Sequence, residues 1–277
     1  MAGLESYSNL SKPAEDLLKK GFCFSQLAAF TLYSKVPQHI SHKASIKVSE
    51  DNSTTSFTSF TYRHSDLSLK QELHSTQVLK TVLDYSTPQL KDVKFKAEAE
   101  LSESSKKVTV SLEQINKFAR TKVALSNALA LRLSSVAKVQ NDKGVGLDLT
   151  VDLNEKKLTG YNFALWWNFK GFYSVLKHTS TNKDEIKFGD LTFYGAYNWC
   201  ERLRLAGSLN KEKDFKLGLE FTPEPGNVFK GRFDSEANLA VSMRTKLSPL
   251  VTIVAATHYN LFDNEMARFG LRLKLNQ

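Results

Sequence analysis

The feature that most constrains this chain is a hydrophobic pattern of period two that recurs along nearly its whole length. In "GVGLDLTVDL" (144–153), Leu147, Leu149, Val151 and Leu153 alternate with Asp148, Thr150 and Asp152. Strict alternation marks a strand with one apolar and one wet face. In "ISHKASIKVS" (40–49), Ile40, His42, Ala44, Ile46 and Val48 oppose Ser41, Lys43, Ser45 and Lys47. In "KVTVSL" (107–112), Val108, Val110 and Leu112 oppose Lys107, Thr109 and Ser111. "FKLGLEF" (215–221) and "FGLRLKL" (269–275) repeat the pattern. Turn-forming clusters separate such segments, among them 49–53, 86–88, 102–105, 141–144, 154–157, 180–184, 210–213, 223–227 and 262–265. Past residue 25 the chain divides into about nineteen segments of roughly thirteen residues, each a strand with its turn.

Two folds accept such strands. A soluble two-sheet protein packs its apolar faces around one dry core. A transmembrane barrel turns them to lipid and keeps the other face wet. Composition does not separate the two: 41% apolar and 24% charged residues exclude a disordered chain, and the mean hydropathy of −0.33 fits either fold. The longest apolar runs, such as "LVTIVAA" at 250–256, fall far short of a membrane-spanning helix. The stretch "SKPAEDLLKKGF" (11–22) is the exception to the alternation. Pro13 suits a first helical turn, Glu15 and Asp16 precede Lys19 and Lys20 as the helix dipole prefers, and Gly21 is a stop. Leu10, Ala14, Leu17 and Leu18 make one apolar stripe, so the helix, expected at 13–20, packs on something.

The net charge is +9, with the lysines spread one or two per strand. Nucleic-acid binding calls for a clustered basic helix or aromatic stacking motifs, and neither is present. Two cysteines, Cys23 and Cys200, make no disulfide framework and no zinc spacing. "MAGLESYSNL" lacks the basic and apolar regions of a secretory signal. No phosphate-binding loop, dinucleotide fingerprint or nucleophile elbow occurs. His39 and His42 do not converge on a strand as they would on a helix. Glu98 with Glu100, and Asp148 with Asp152, share strand faces among polar neighbours and are expected to be solvated. Nothing points to an enzyme or a cofactor.

Both ends of the chain carry a family resemblance. "YSNLSKPAEDLLKKGFCF" (7–24) resembles the N-terminus of the mitochondrial porins, the voltage-dependent anion channel (VDAC) family, at Lys12, Ala14, Asp16, Leu17, Lys20, Gly21, Phe22 and Phe24. "RFGLRLKL" is similar to the sorting signal of mitochondrial β-barrels, with Arg268, Gly270, Leu273 and Leu275 matching. The family is known to build nineteen-stranded barrels, so the segment count agrees with a known number and is not independent of it. Departures are Leu73, where many animal members carry a membrane-facing glutamate, "QLK" (89–91) in place of Gly-Leu-Lys, Pro13 within the helix, and only 13 glycines. The chain therefore resembles a divergent member.

The resemblance implies an all-β fold: a transmembrane β-barrel of about nineteen strands, residues 26–277, with a short N-terminal α-helical segment, residues 1–25, inside the pore. It implies a voltage-gated channel of the mitochondrial outer membrane that passes small anions and metabolites such as nucleotides, in contact with membrane lipids. It allows a homo-oligomer or a larger membrane assembly. By parity the strand residues facing the lumen are Lys43, Lys47, Lys94, Lys96, Lys107, Arg120, Lys122, Arg132, Arg202, Arg204, Lys216, Lys230, Arg232, Arg244, Lys246, Arg272 and Lys274. Lys12 and Lys20 join them if the helix lies in the pore. Three other readings stay open: the protein-import pore of the same superfamily, a structural barrel docked in a larger assembly, and a soluble ligand-binding β protein.

Overall fold

The computed structural model describes residues 4–24, 26–36, 39–49, 51, 53–86, 90, 92–180, 189–262 and 268–276. The N-terminal segment holds a 3-10 turn, Tyr7–Asn9, and one α-helix, α1, Lys12–Lys19. The strands that follow are β1 Ala28–Val36, β2 Ile40–Val48, β3 Thr54–His64, β4 Leu67–His74, β5 Leu79–Ser86, β6 Val93–Leu101 and β7 Lys106–Ile115. Next come β8 Ala119–Ser126, β9 Ala130–Gln140, β10 Lys143–Asp152, β11 Lys157–Phe169, β12 Phe172–Thr179 and β13 Asp190–Asn198. The last six are β14 Leu203–Asn210, β15 Phe215–Glu224, β16 Asn227–Asp234, β17 Asn238–Lys246, β18 Val251–Asn260 and β19 Arg268–Asn276.

These strands form one 19-stranded sheet in which sequence neighbours pair and the ends join, a closed β-barrel as expected. Among the described residues consecutive strands pair antiparallel, such as β1 with β2 and β18 with β19. An odd number of alternating strands leaves the closing pair parallel, and β1 pairs with β19 in that sense, from Ala28↔Leu271 to Tyr33↔Asn276. Among the described residues no helix is long and apolar enough to cross a membrane.

Short hairpins make such a sheet possible. At Lys170–Gly171 both residues have positive φ (45° and 84°), the type I′ geometry whose twist matches that of the flanking strands. The expected turns at 86–88, 180–184 and 262–265 fall largely on residues outside the described set, as do Gln89 and Lys91. α1 begins at Lys12 rather than residue 13, with Pro13 in its first turn, where its missing donor costs nothing. β10 contains an irregularity at Thr150/Val151 and ends at Asp152, so Leu153 lies beyond the alternating run.

The chain contacts resolve into two compact units. The first comprises residues 1–12, 61–72 and 77–193; the second comprises 13–60, 73–76 and 194–277. Each contains a stretch of wall and part of the N-terminal segment lying on one face of it, called the inner face below. In the first unit that face receives Tyr7 and Leu10, which lie over Gly146. In the second it receives α1, whose Ala14, Leu17 and Leu18 pack on Ala206, Tyr194 and Ala196. An isolated eight-residue helix is unstable in water, so this apolar contact holds α1, at about 1.5–3 kcal/mol per fully buried leucine.

The opposite face is apolar and exposed in both units. In the first it presents Val108, Val110, Leu112, Val123, Leu125, Leu133, Val145, Leu147 and Leu165; in the second, Phe30, Ile46, Leu217, Leu219, Phe221, Val241, Met243 and Leu271. Apolar surface this continuous matches hydrocarbon rather than water. His42 also lies on this face, its Nε2 2.8 Å from the Thr58 hydroxyl and its ring 4.6 Å from that of Phe60.

Candidate functional site: the inner face of the barrel

Register decides which side chains share the inner face. Gly270 lies against Cys23, Arg272 pairs with Ala29, and Ala29 pairs with Lys47, which sets the facing of β19, β1 and β2. Lys43 and Lys274 follow by period two. The Lys43 ammonium sits 5.4 Å from the Tyr33 ring and 4.7 Å from that of Phe57. In the second unit the ladders also put Arg204, Lys216, Lys230, Arg232, Arg244 and Lys246 on this face. In the first unit they put Lys94, Lys96, Lys107, Arg120, Lys122 and Arg132 there. Arg202 lies in the β13–β14 turn, where its carbonyl accepts from Thr222 N at 2.8 Å. Lys12 opens α1, and Lys20 follows it, pairing with Asp16 at 2.8 Å.

In the first unit the charges interleave with opposite sign. Across β5 to β8, Lys80 faces Glu100, Glu100 faces Lys107, Asp84 faces Lys96, and Glu113 lies between Lys94 and Lys122. Such cross-strand pairs stabilise a sheet by tenths of a kcal/mol each and nearly cancel its field at a distance.

Several of these cations hold the N-terminal segment instead of facing open water. Arg120 bonds the Glu113 carboxylate at 2.7 Å and the Leu4 carbonyl at 3.0 Å. The Tyr173 hydroxyl donates to the Leu10 carbonyl at 2.9 Å, and the Lys177 ammonium lies 5.5 Å from the Tyr7 ring. In the second unit Arg232 donates to the Leu18 carbonyl at 3.3 Å, capping the end of α1, and lies over the Phe22 and Phe24 rings. Phe24 stacks on His258 at 4.8 Å.

Asp148, expected to be solvated, is 1% exposed. Arg132 grips it with two bonds, Nε at 2.7 Å and Nη2 at 2.9 Å; Asn162 donates at 3.0 Å, and the Ser134 hydroxyl donates to it as well. Tyr7 covers the group. Burial, with the Asp148 carboxylate adding, pushes the Tyr7 phenol well above its ordinary pKa. Two glycines make room for the segment. A Cβ at Gly146 would lie 2.9 Å from the Tyr7 ring, and one at Gly218 2.7 Å from Leu17. These contacts join residues far apart in sequence, and no local signal in the chain marks them.

Past α1, Gly21 (φ 98°) turns the chain and buries Cys23 against β18 and β19. The Cys23 thiol donates to the Gly270 carbonyl at 3.3 Å, and burial pushes its pKa up. A Cβ on Gly270 would stand 1.9 Å from the Cys23 carbonyl oxygen. Gly270 is thus required by packing, whatever else reads it. Arg268 shares its face, and Leu273 and Leu275 point to the other.

The second unit differs from the first in charge. β17, β18, β19, β1 and β2 contain no aspartate or glutamate on either face. They carry Lys35, Lys43, Lys47, Arg244, Lys246, Arg268, Arg272 and Lys274. Pairing aligns Arg244, Val254, Arg272, Ala29 and Lys47 in one row, and Lys246, Thr252, Lys274, Thr31 and Ser45 in the next. The seam where the sheet closes is therefore a basic tract without counter-charge from its own strands. Beyond it, Glu220 pairs with Arg204 at 3.1 Å and Lys230 at 2.8 Å. Among the described residues no cluster of side chains could hold a metal ion.

A closed β-barrel with an apolar outer face, a charged inner face and a helix packed on that inner face is a membrane channel of the porin type. The family model described as eukaryotic porin matches residues 5–270, and the chain belongs to that family. No curated protein matches the chain.

Proposed function

We propose that this porin is an anion-preferring channel of the mitochondrial outer membrane, passing small ions and metabolites such as nucleotides by diffusion. The observation that carries the reading is the basic tract of β17–β19 and β1–β2, with eight cations and no carboxylate. A wall of one sign concentrates counter-ions beside it, and anions accumulate there without a covalent step. The cations expected to line the pore act unequally. Lys43, Lys47, Arg244, Lys246, Arg272 and Lys274 set the field, whereas Arg120 and Arg232 hold the N-terminal segment and Arg132 is neutralised by Asp148. Lys20, paired with Asp16, adds little.

Voltage dependence belongs to the same reading. Each charge moved through the membrane field is worth about 2.3 kcal/mol per 100 mV, so shifting a few of these cations would gate the pore. Arg268, Gly270, Leu273 and Leu275 serve as the sorting signal that directs assembly into the outer membrane. The test is planar-bilayer recording of purified protein across a salt gradient. Stepwise conductance with a reversal potential toward that of the anion is the expected result. Absence of conductance, or cation preference, would refute the reading.

A further inference from the structure

Three successive hairpins of the first unit, at the end where odd strands turn into even ones, each present a lysine beside an exposed apolar side chain. The β7–β8 turn offers Lys117 and Phe118; the β9–β10 hairpin offers Val139 and Lys143; the β11–β12 hairpin offers Phe169 and Lys170. Phe118 is 74% exposed, Val139 68% and Phe169 62%. These side chains are presented by ordered backbone. Asn116 Oδ1 accepts from Phe118 N at 2.9 Å and also from Ala119 N, fixing the first turn. Lys138 N donates to the Phe118 carbonyl at 2.7 Å, and Asn168 N donates to the Asp142 carbonyl at 2.7 Å, so each hairpin is tied to the next. The Lys170 ammonium lies 5.3 Å from the Phe169 ring.

Among the described residues Lys117 and Lys143 form no ion pair. Asp142 is the one carboxylate in these three turns. Lys143 pairs across the strand with Trp167, on the same face as Val145 and Leu165, so the hairpins continue into the apolar outer wall. A rigid rim with three apolar tips, three lysines and an apolar wall below is complementary to a surface that is hydrocarbon underneath and negative on top.

We propose that this rim is a binding site for anionic phospholipid, with the lysines on the headgroup phosphates and Phe118, Val139 and Phe169 at the level of the upper acyl chains. The proposal rests on the membrane-channel reading and adds a lipid preference to it. A lysine near an anionic membrane surface strengthens binding about fivefold, and screening reduces the effect of several together.

The experiment uses the full chain in detergent, titrated with phosphatidylglycerol or phosphatidylcholine and examined by native mass spectrometry. We expect phosphatidylglycerol to be retained at least about tenfold better, and the preference to vanish in K117Q/K143Q/K170Q. F118S should weaken retention of both lipids, and K211Q/K213Q, in the β14–β15 turn of the second unit, should change nothing. Inorganic phosphate at matched ionic strength should not displace the lipid; if it does, the site reads free phosphate and the proposal fails. Equal retention of the two lipids by folded protein, or an unchanged preference in the triple variant, would overturn the lipid site alone. Failure to retain any lipid would overturn the membrane reading with it.

Discussion

Reversing Lys43, Lys47, Arg272 and Lys274 to glutamate tests the origin of selectivity most directly. The five seam strands hold eight cations and no carboxylates, and each reversal removes two charges, so four reversals bring the tract from +8 to zero. An ion about 10 Å from a unit charge in water feels about 0.4 kcal/mol, which screening over one Debye length reduces to roughly 0.15 kcal/mol. Eight such charges sum to about 1.2 kcal/mol, roughly an eightfold local enrichment of anions, and the quadruple variant should lose nearly all of it. The assay is the reversal potential across a salt gradient in planar bilayers, which should move toward cation preference. In about 1 M salt, where the Debye length is near 3 Å, wild type and variant should converge. The control is K211E/K213E, in the turn before β15. An unchanged reversal potential in the quadruple variant, or equal shifts in variant and control, would show that the seam tract does not set the field.

The other predictions concern the segment and the closing strand. Gly146→Val should displace Tyr7, and Gly218→Val should displace Leu17 and Leu18, each at an overpacking cost of about 1–3 kcal/mol. Limited proteolysis should then cut the N-terminal segment faster while the barrel stays intact, and wild-type resistance in both variants would refute the packing. Asp148→Ala leaves Arg132, Ser134 and Asn162 without their acceptor; because Arg132 is half-exposed and can rehydrate, the cost should be about 1–3 kcal/mol in denaturant unfolding. Leu273→Asp with Leu275→Asp should abolish assembly into isolated mitochondria. Gly270→Ala keeps a small residue at that position of the signal but clashes with the Cys23 carbonyl, so it should instead yield an assembled but less stable barrel.

Much of this architecture is written in local sequence, because strand facing and helix formation depend on neighbours two to four residues apart. The alternation in "ISHKASIKVS" and "FGLRLKL" already puts Lys43, Lys47, Arg272 and Lys274 on one face. The pairing of acidic with basic residues in α1 and its apolar stripe already mark a helix with a side to bury. The absence of carboxylates from five strands is also visible in the chain. That those strands adjoin follows only from the closed, odd-stranded barrel that the family resemblance implies, with no local signal to mark it. β1 and β19 are some 240 residues apart, and only closure of the sheet makes two weakly basic ends into one tract. Asp148 looked like a solvated residue because its strand neighbours are polar or small. It is buried because Tyr7, Arg132, Ser134 and Asn162 converge on it from the N-terminal segment and two flanking strands. Gly270 resembled a letter in a sorting signal, and only the fold brings the Cys23 carbonyl onto it. Arg120 and Arg232 share the parity of the field-setting cations, yet they bond carbonyls 116 and 214 residues away. Parity is a property of one strand, whereas burial and pairing are properties of whatever lies across from it, and that is decided by the path of the whole chain.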